Sequence, residues 1–196
     1  MVQVTPTISE RSALVHEFTA ELKDITQRTR STFDGLTSNQ LNWKPSAQQW
    51  SVAQCFDHLI TSNKAYLPIF ERAANGQLRN SLWEQMPILP ALFGRLLIKS
   101  LDPKTSRKLK APKLLQPASS DLDSAIVDRF ISEQAELIRA IQKLEGQDLD
   151  ALRMTSPIMG LITYSFSDAC RIIIVHEQRH FQQAEHVLKA TGFPGS

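Results

Sequence analysis

The chain has 196 residues, 42% hydrophobic and 21% charged, with a formal net charge of +2 at pH 7. That length supports one good core and the composition is that of a globular protein, so residues 1–196 read as a single domain. The near-neutral balance gives no electrostatic footprint for nucleic acid. No apolar run approaches the roughly 18 residues needed to cross a bilayer, and no membrane partner is expected. Met1 to Pro6 carry neither the basic nor the apolar region of a secretory signal. Cys55 and Cys170 fall inside predicted helices, and a cytoplasmic, thiol-reduced setting is expected.

Seven glycines in the whole chain favour helices over a turn-rich β fold. Thr7-Ile8-Ser9-Glu10 is a capping box, in which each side chain satisfies an orphan amide. After it Leu14, Val15, Phe18, Leu22, Ile25 and Phe33 keep helical spacing to about residue 34. Ser51-Val52-Ala53-Gln54 opens a second helix directly after Trp50, carrying Phe56, Leu59, Ile60, Tyr66, Leu67 and Phe70 as far as Asn75-Gly76.

Residues 76–119 do not fit a minimal bundle. The spacing predicts a short extra helix from Ile88 to Leu101, interrupted by Pro90 and Gly94. From Arg95 to Lys113 there are seven Lys or Arg against one acid, Asp102. That run reads as a solvated connection capping the bundle, with a lid or anionic-ligand patch as the alternative. Apolar residues around Trp83–Phe93 make a homodimer an expectation.

A third helix is predicted from near Ser120-Asp121, with Ile126, Phe130, Leu137, Ile138, Ile141 and Leu144 before Gly146. The fourth opens at Ser165-Phe166-Ser167-Asp168 and closes at Gly192, with Pro194 beyond. Four amphipathic helices most simply make an all-α four-helix bundle, whose interior can hold a metal site built from facing helices.

The densest chemistry is His176-Glu177-Gln178-Arg179-His180 on the fourth helix. Two imidazoles four residues apart lie about 40° apart around the axis, so both can reach one ion. Ala169, Ile173, Ala184 and Val187 share their side of the wheel, which makes the pair inward-facing. Burying two polar rings together is costly without a shared partner. His58 on the second helix is the third candidate, at the edge of its apolar face. His16 and His186 lie off the apolar stripes and read as solvated. Glu177 falls toward the apolar stripe. It reads either as an acid or base close to the metal or as a flank carboxylate paired with Arg171, Lys189 or water.

The same five residues spell H-E-x-x-H, the zinc-protease signature. Here Gln183 stands where the metzincins have a helix-breaking glycine, and nothing stops the helix before Gly192. In a continuous helix His186 lies about 15 Å along the axis from His176 and cannot share its metal. The ten residues after His186 leave no room for a Met-turn, and no strand run offers a peptide platform. A zinc protease is therefore not expected.

Leu41-Asn42-Trp43-Lys44-Pro45, Trp50-Ser51-Val52-Ala53-Gln54 and Asp57-His58-Leu59 together resemble the second-helix signature of the DinB-like (YfiT-type) proteins. His176-x3-His180-x2-Gln183, followed by Gly192-Phe193-Pro194, is similar to that family's closing helix. The resemblance implies a four-helix bundle in which His58, His176 and His180 hold a divalent metal. It also implies a metal-dependent small-molecule enzyme, either a thiol S-transferase using a low-molecular-weight thiol or a hydrolase. Three neutral imidazoles suit Zn, Ni, Fe or Mn and leave coordination positions open. A metal-stabilised bundle without turnover is the reading from another class. Cys55, one turn from His58, reads as a buried core thiol rather than a nucleophile or fourth ligand.

Overall fold

Helix α1 (Ile8–Phe33) begins at the expected capping box: Thr7 Oγ1 accepts from the Glu10 amide, and the Glu10 carboxylate accepts from the Thr7 amide. The computed structural model describes residues 7–78, 96–101, 115–117 and 121–195. A second box, Thr37 with Gln40, opens the short α2 (Ser38–Asn42), which helical spacing did not announce. Ser51 and Gln54 then form the box that starts α3 (Val52–Lys64).

The predicted second helix is in fact two. It breaks at Ala65–Tyr66 and restarts as α4 (Leu67–Ala74). Pro68 accounts for the break, because it cannot donate to the Lys64 carbonyl and its ring crowds that group. Standing at the second helical position of α4, it costs nothing there, where no donor is needed. Gly76, at φ 66°, ends α4.

Residues 96–101 are helical. The rest of the short helix expected over 88–101, the apolar stretch 83–93 and most of the basic run 95–113 lie outside the described residues. Helix α5 (Ile126–Gln142) starts later than Ser120-Asp121, because the Asp123 carboxylate accepts from the Ala125 amide in a turn just before it. A small antiparallel hairpin follows, β1 (Arg153–Thr155) and β2 (Thr163–Ser165), with Met154 opposite Tyr164. Strands of three residues are too short to show alternation, which is why the sequence gives no sign of them. Strand β2 runs directly into α6 (Phe166–Leu188), capped by Ser165 as expected.

Helices α1 and α3 each pack against both α5 and α6, which makes a four-helix bundle with α1 and α3 at opposite corners. The architecture is all-α apart from the hairpin, as read from the sequence. Each corner supplies one ring to a chain of phenylalanines. Phe33 of α1 meets Phe56 of α3 at 5.1 Å and Phe181 of α6 at 5.4 Å, and Phe56 meets Phe130 of α5 at 5.1 Å. A second apolar layer contains Phe70 and Phe166. At one end of the bundle the hydroxyls of Tyr66 and Tyr164 meet at 2.9 Å, pinning the hairpin to the break between α3 and α4. At the C-terminal end Gly192 takes φ +86° beside the Trp43 ring, and Gln40 donates to the Pro194 carbonyl.

Candidate metal centre

The α3/α6 interface brings His58, His176 and His180 together. Their ring centroids are 4.9, 4.5 and 4.7 Å apart in pairs, a nearly equilateral triangle. One candidate ligand nitrogen from each lies within 4.8 Å of the others. His58 is buried more deeply than its edge position on the wheel implied, at 2% exposure, and His180 is at 7%. His176 keeps an edge in solvent.

A carbonyl can only accept, so the 2.6 Å contact between His58 Nδ1 and the Leu115 carbonyl puts the His58 proton on Nδ1. Its Nε2 lone pair then faces His176 Nε2 at 3.0 Å. This is how a metal-ligating histidine is usually oriented, with the second nitrogen fixed by a hydrogen bond behind it. His180 Nδ1 is buried with no hydrogen-bond partner among the described residues. Trp50, just ahead of the Ser51 cap, stacks on the His180 ring at 5.5 Å and 17° and tilts against His58 at 5.0 Å.

Burial holds all three imidazoles neutral. It pushes His58 below its ordinary value against the opposing pull of the Leu115 carbonyl and Asp57. His176 is pushed down to about 3, by desolvation first and then by the repulsion its protonated ring would meet from His58 and Arg179. His180 moves the same way from burial, then from the other two rings and Arg179. Neutral imidazole is the form that binds a metal ion. Three such rings, an unsatisfied buried nitrogen and a fixed His58 tautomer fit a divalent ion well.

Glu177 is not the flank carboxylate that one of its two readings made it. It is fully buried, its Oε1 accepts from Asn63 Nδ2 at 2.8 Å, and its Oε2 accepts from Gln134 Nε2 at 2.7 Å. Desolvation pushes its carboxyl up to about 8 against the lowering effect of those two bonds. The pairing with Arg171 or Lys189 does not form, because the side chain turns into the core where α3, α5 and α6 meet. Cys55 is buried in the apolar core, and the metal-competent group forms without it. His16 and His186 are exposed, His16 lying 3.5 Å from Glu145 Oε1.

Asn63, Gln134, Trp50 and the Leu115 carbonyl went unrecognised in the sequence. Two of them left a signal: Asn63 is four residues after Leu59, and Gln134 is four after Phe130 and three before Leu137. Each is an amide in an otherwise apolar stripe. Leu115 contributes only backbone, which no side-chain pattern can reveal.

The profile of the DinB superfamily matches residues 21–184, spanning the bundle and all three histidines. The chain belongs to the DinB superfamily. It is also similar to the uncharacterized protein YuaE of Bacillus subtilis (strain 168), at 26% identity over 164 residues, covering 81% of this chain and 90% of that protein. No solved structure matches the chain at a significant level. No described helix of this DinB superfamily member is long and apolar enough to cross a membrane.

Proposed function

We propose that this DinB superfamily protein holds a divalent metal ion through His58, His176 and His180 and acts as a metal-dependent small-molecule enzyme, with thiol S-transfer as its reaction class. The observation that carries the metal assignment is the convergence of three neutral imidazoles from two helices within 4.8 Å, two of them buried and His176 half-buried. A structural zinc site normally fills four positions with protein, whereas three ligands leave room for a substrate atom.

An ion held there lowers the pKa of a thiol or a water bound to it, which is the chemistry that thiol transfer and hydrolysis share. The residues around it favour the thiol. Metal-bound water works best with a general base beside it, and Glu177 commits both oxygens to Asn63 and Gln134 instead. A thiol would need such a base less, since an ion held by the three histidines would lower its pKa enough for its proton to pass to solvent. The Leu115 carbonyl fixes the His58 tautomer, α6 presents His176 and His180 one turn apart, and Trp50 walls the His180 side.

The test is elemental analysis of protein purified without chelator or nickel affinity, for wild type, His58→Ala and His176→Ala. About one equivalent of metal in wild type and little in either variant is expected. Loaded protein is then screened with glutathione, bacillithiol and mycothiol against an electrophilic acceptor. Consumption of a thiol supports the transferase. Metal without thiol consumption moves the reading to hydrolysis, and absence of metal removes both.

A further inference from the structure

We infer that the Asn63–Glu177 hydrogen bond is a positioning contact that sets the register of α3 on α6 and so the spacing of the three-histidine group. The inference rests on the metal-site reading above. His58 and Asn63 are five residues apart on α3, about 7.5 Å along its axis. Their counterparts on α6, His176 and Glu177, are adjacent. His58 meets His176 at 3.0 Å, and Asn63 meets Glu177 at 2.8 Å. Apolar packing holds α3 against α6 but is non-directional, and one polar contact added to it still leaves some rotation about that point. Two contacts separated along one axis fix both the rotation and the slide.

The chemistry of the second contact is hard to explain by stability alone. A carboxyl with no solvent exposure must have its lost hydration replaced, and an apolar side chain would fill the same space without that cost. What the polar pair adds is direction, because an amide and a carboxyl bond well only over a narrow range of distance and angle. Gln134 anchors the other Glu177 oxygen to α5, a helix that carries none of the three imidazoles. The two arms of Glu177 are therefore alike in chemistry and different in position. Only the Asn63 arm joins the two helices that carry the rings.

This difference supplies the test. The dissociation constant for Co²⁺ is measured by competition with a chromophoric chelator for wild type, Asn63→Ala and Gln134→Ala. The melting temperature of each metal-free protein is measured beside it. Both variants leave one Glu177 oxygen unpaired, so both are expected to melt earlier by similar amounts. Asn63→Ala is expected to weaken Co²⁺ binding about 10- to 100-fold and to shift the visible bands of the bound ion. Gln134→Ala is expected to leave both near wild type.

Equal affinity losses in the two variants, or none in Asn63→Ala, overturn the inference and leave Asn63 as an ordinary core amide. Should Asn63→Ala fail to fold, Asn63→Ser, whose hydroxyl stops short of Glu177, carries the same contrast. Glu177→Gln is expected to keep most of the affinity, since reorienting the Gln134 amide satisfies both arms. A wild type that binds no Co²⁺ overturns the metal reading itself, a result distinct from failure of the positioning role alone.

Discussion

Tyr66 and Tyr164 are the chain's two tyrosines, and their hydroxyls bond only to interior partners. Burial pushes both phenols above their ordinary value of 10.0. A group raised in this way contributes stability that is fully present below about pH 10 and lost as the pH climbs past it. The unfolded chain can then release the proton, and the folded one cannot. Near-ultraviolet absorbance should therefore show no tyrosinate until the helical circular dichroism collapses in alkali. A gradual rise with the helices intact would place a phenol in solvent. Tyr66→Phe should cost about 1 kcal/mol in urea unfolding, from the one lost bond, since Tyr164 keeps its bond to Ser156. The two thiols behave alike: burial pushes Cys170 up to about 12 and Cys55 higher still. Neither should react with a chromogenic disulfide reagent at mildly alkaline pH, and both should react once denaturant is added.

Among the helices, α3 supplies His58 to the centre and follows directly from Trp50. Its start is fixed by the Ser51 hydroxyl, which accepts from the Gln54 amide at 3.1 Å in a fully buried cap. Ser51→Ala should lower stability by about 1 kcal/mol, measured by urea unfolding. The caps at Thr7, Ser51 and Ser165 were legible because a hydroxyl and an acid or amide three residues later is a local signal. The long apolar stripes were legible because burial repeats with the helical period. What escaped is short or non-local. Helix α2 has five residues and each strand three, below the length at which a period can be counted. The break at Pro68 was masked by apolar spacing that continues on either side. At the centre, the histidines were legible from spacing and family resemblance. The partners of Glu177 come from α3 and α5, distant in sequence, and nothing local pairs them.

At the level of the whole molecule, the phenylalanine chain through all four corners of the bundle is separate from the imidazole triangle. The core is therefore expected to form without an ion. Chelation should lower the melting temperature and leave the far-ultraviolet helical signal intact, unlike a structural zinc site, where the fold goes with the metal. Saturation at about 1,000 times Kd should raise stability by about 4 kcal/mol. Phe130→Ala, which opens a hole in the middle of the ring chain, should cost about 3–5 kcal/mol with or without metal. A chelated protein that loses its helices would instead make the histidines part of the framework.

The indole of Trp50, stacked on His180 and tilted against His58, gives the molecule an optical gauge of its own centre. An open-shell ion such as Co²⁺ or Ni²⁺ seated among the rings would quench the emission of an indole so close to it. Closed-shell Zn²⁺ would leave that emission largely intact while competing for the same place. Occupancy and exchange could then be followed in the unlabelled protein, with Trp50→Phe as the variant in which the signal disappears.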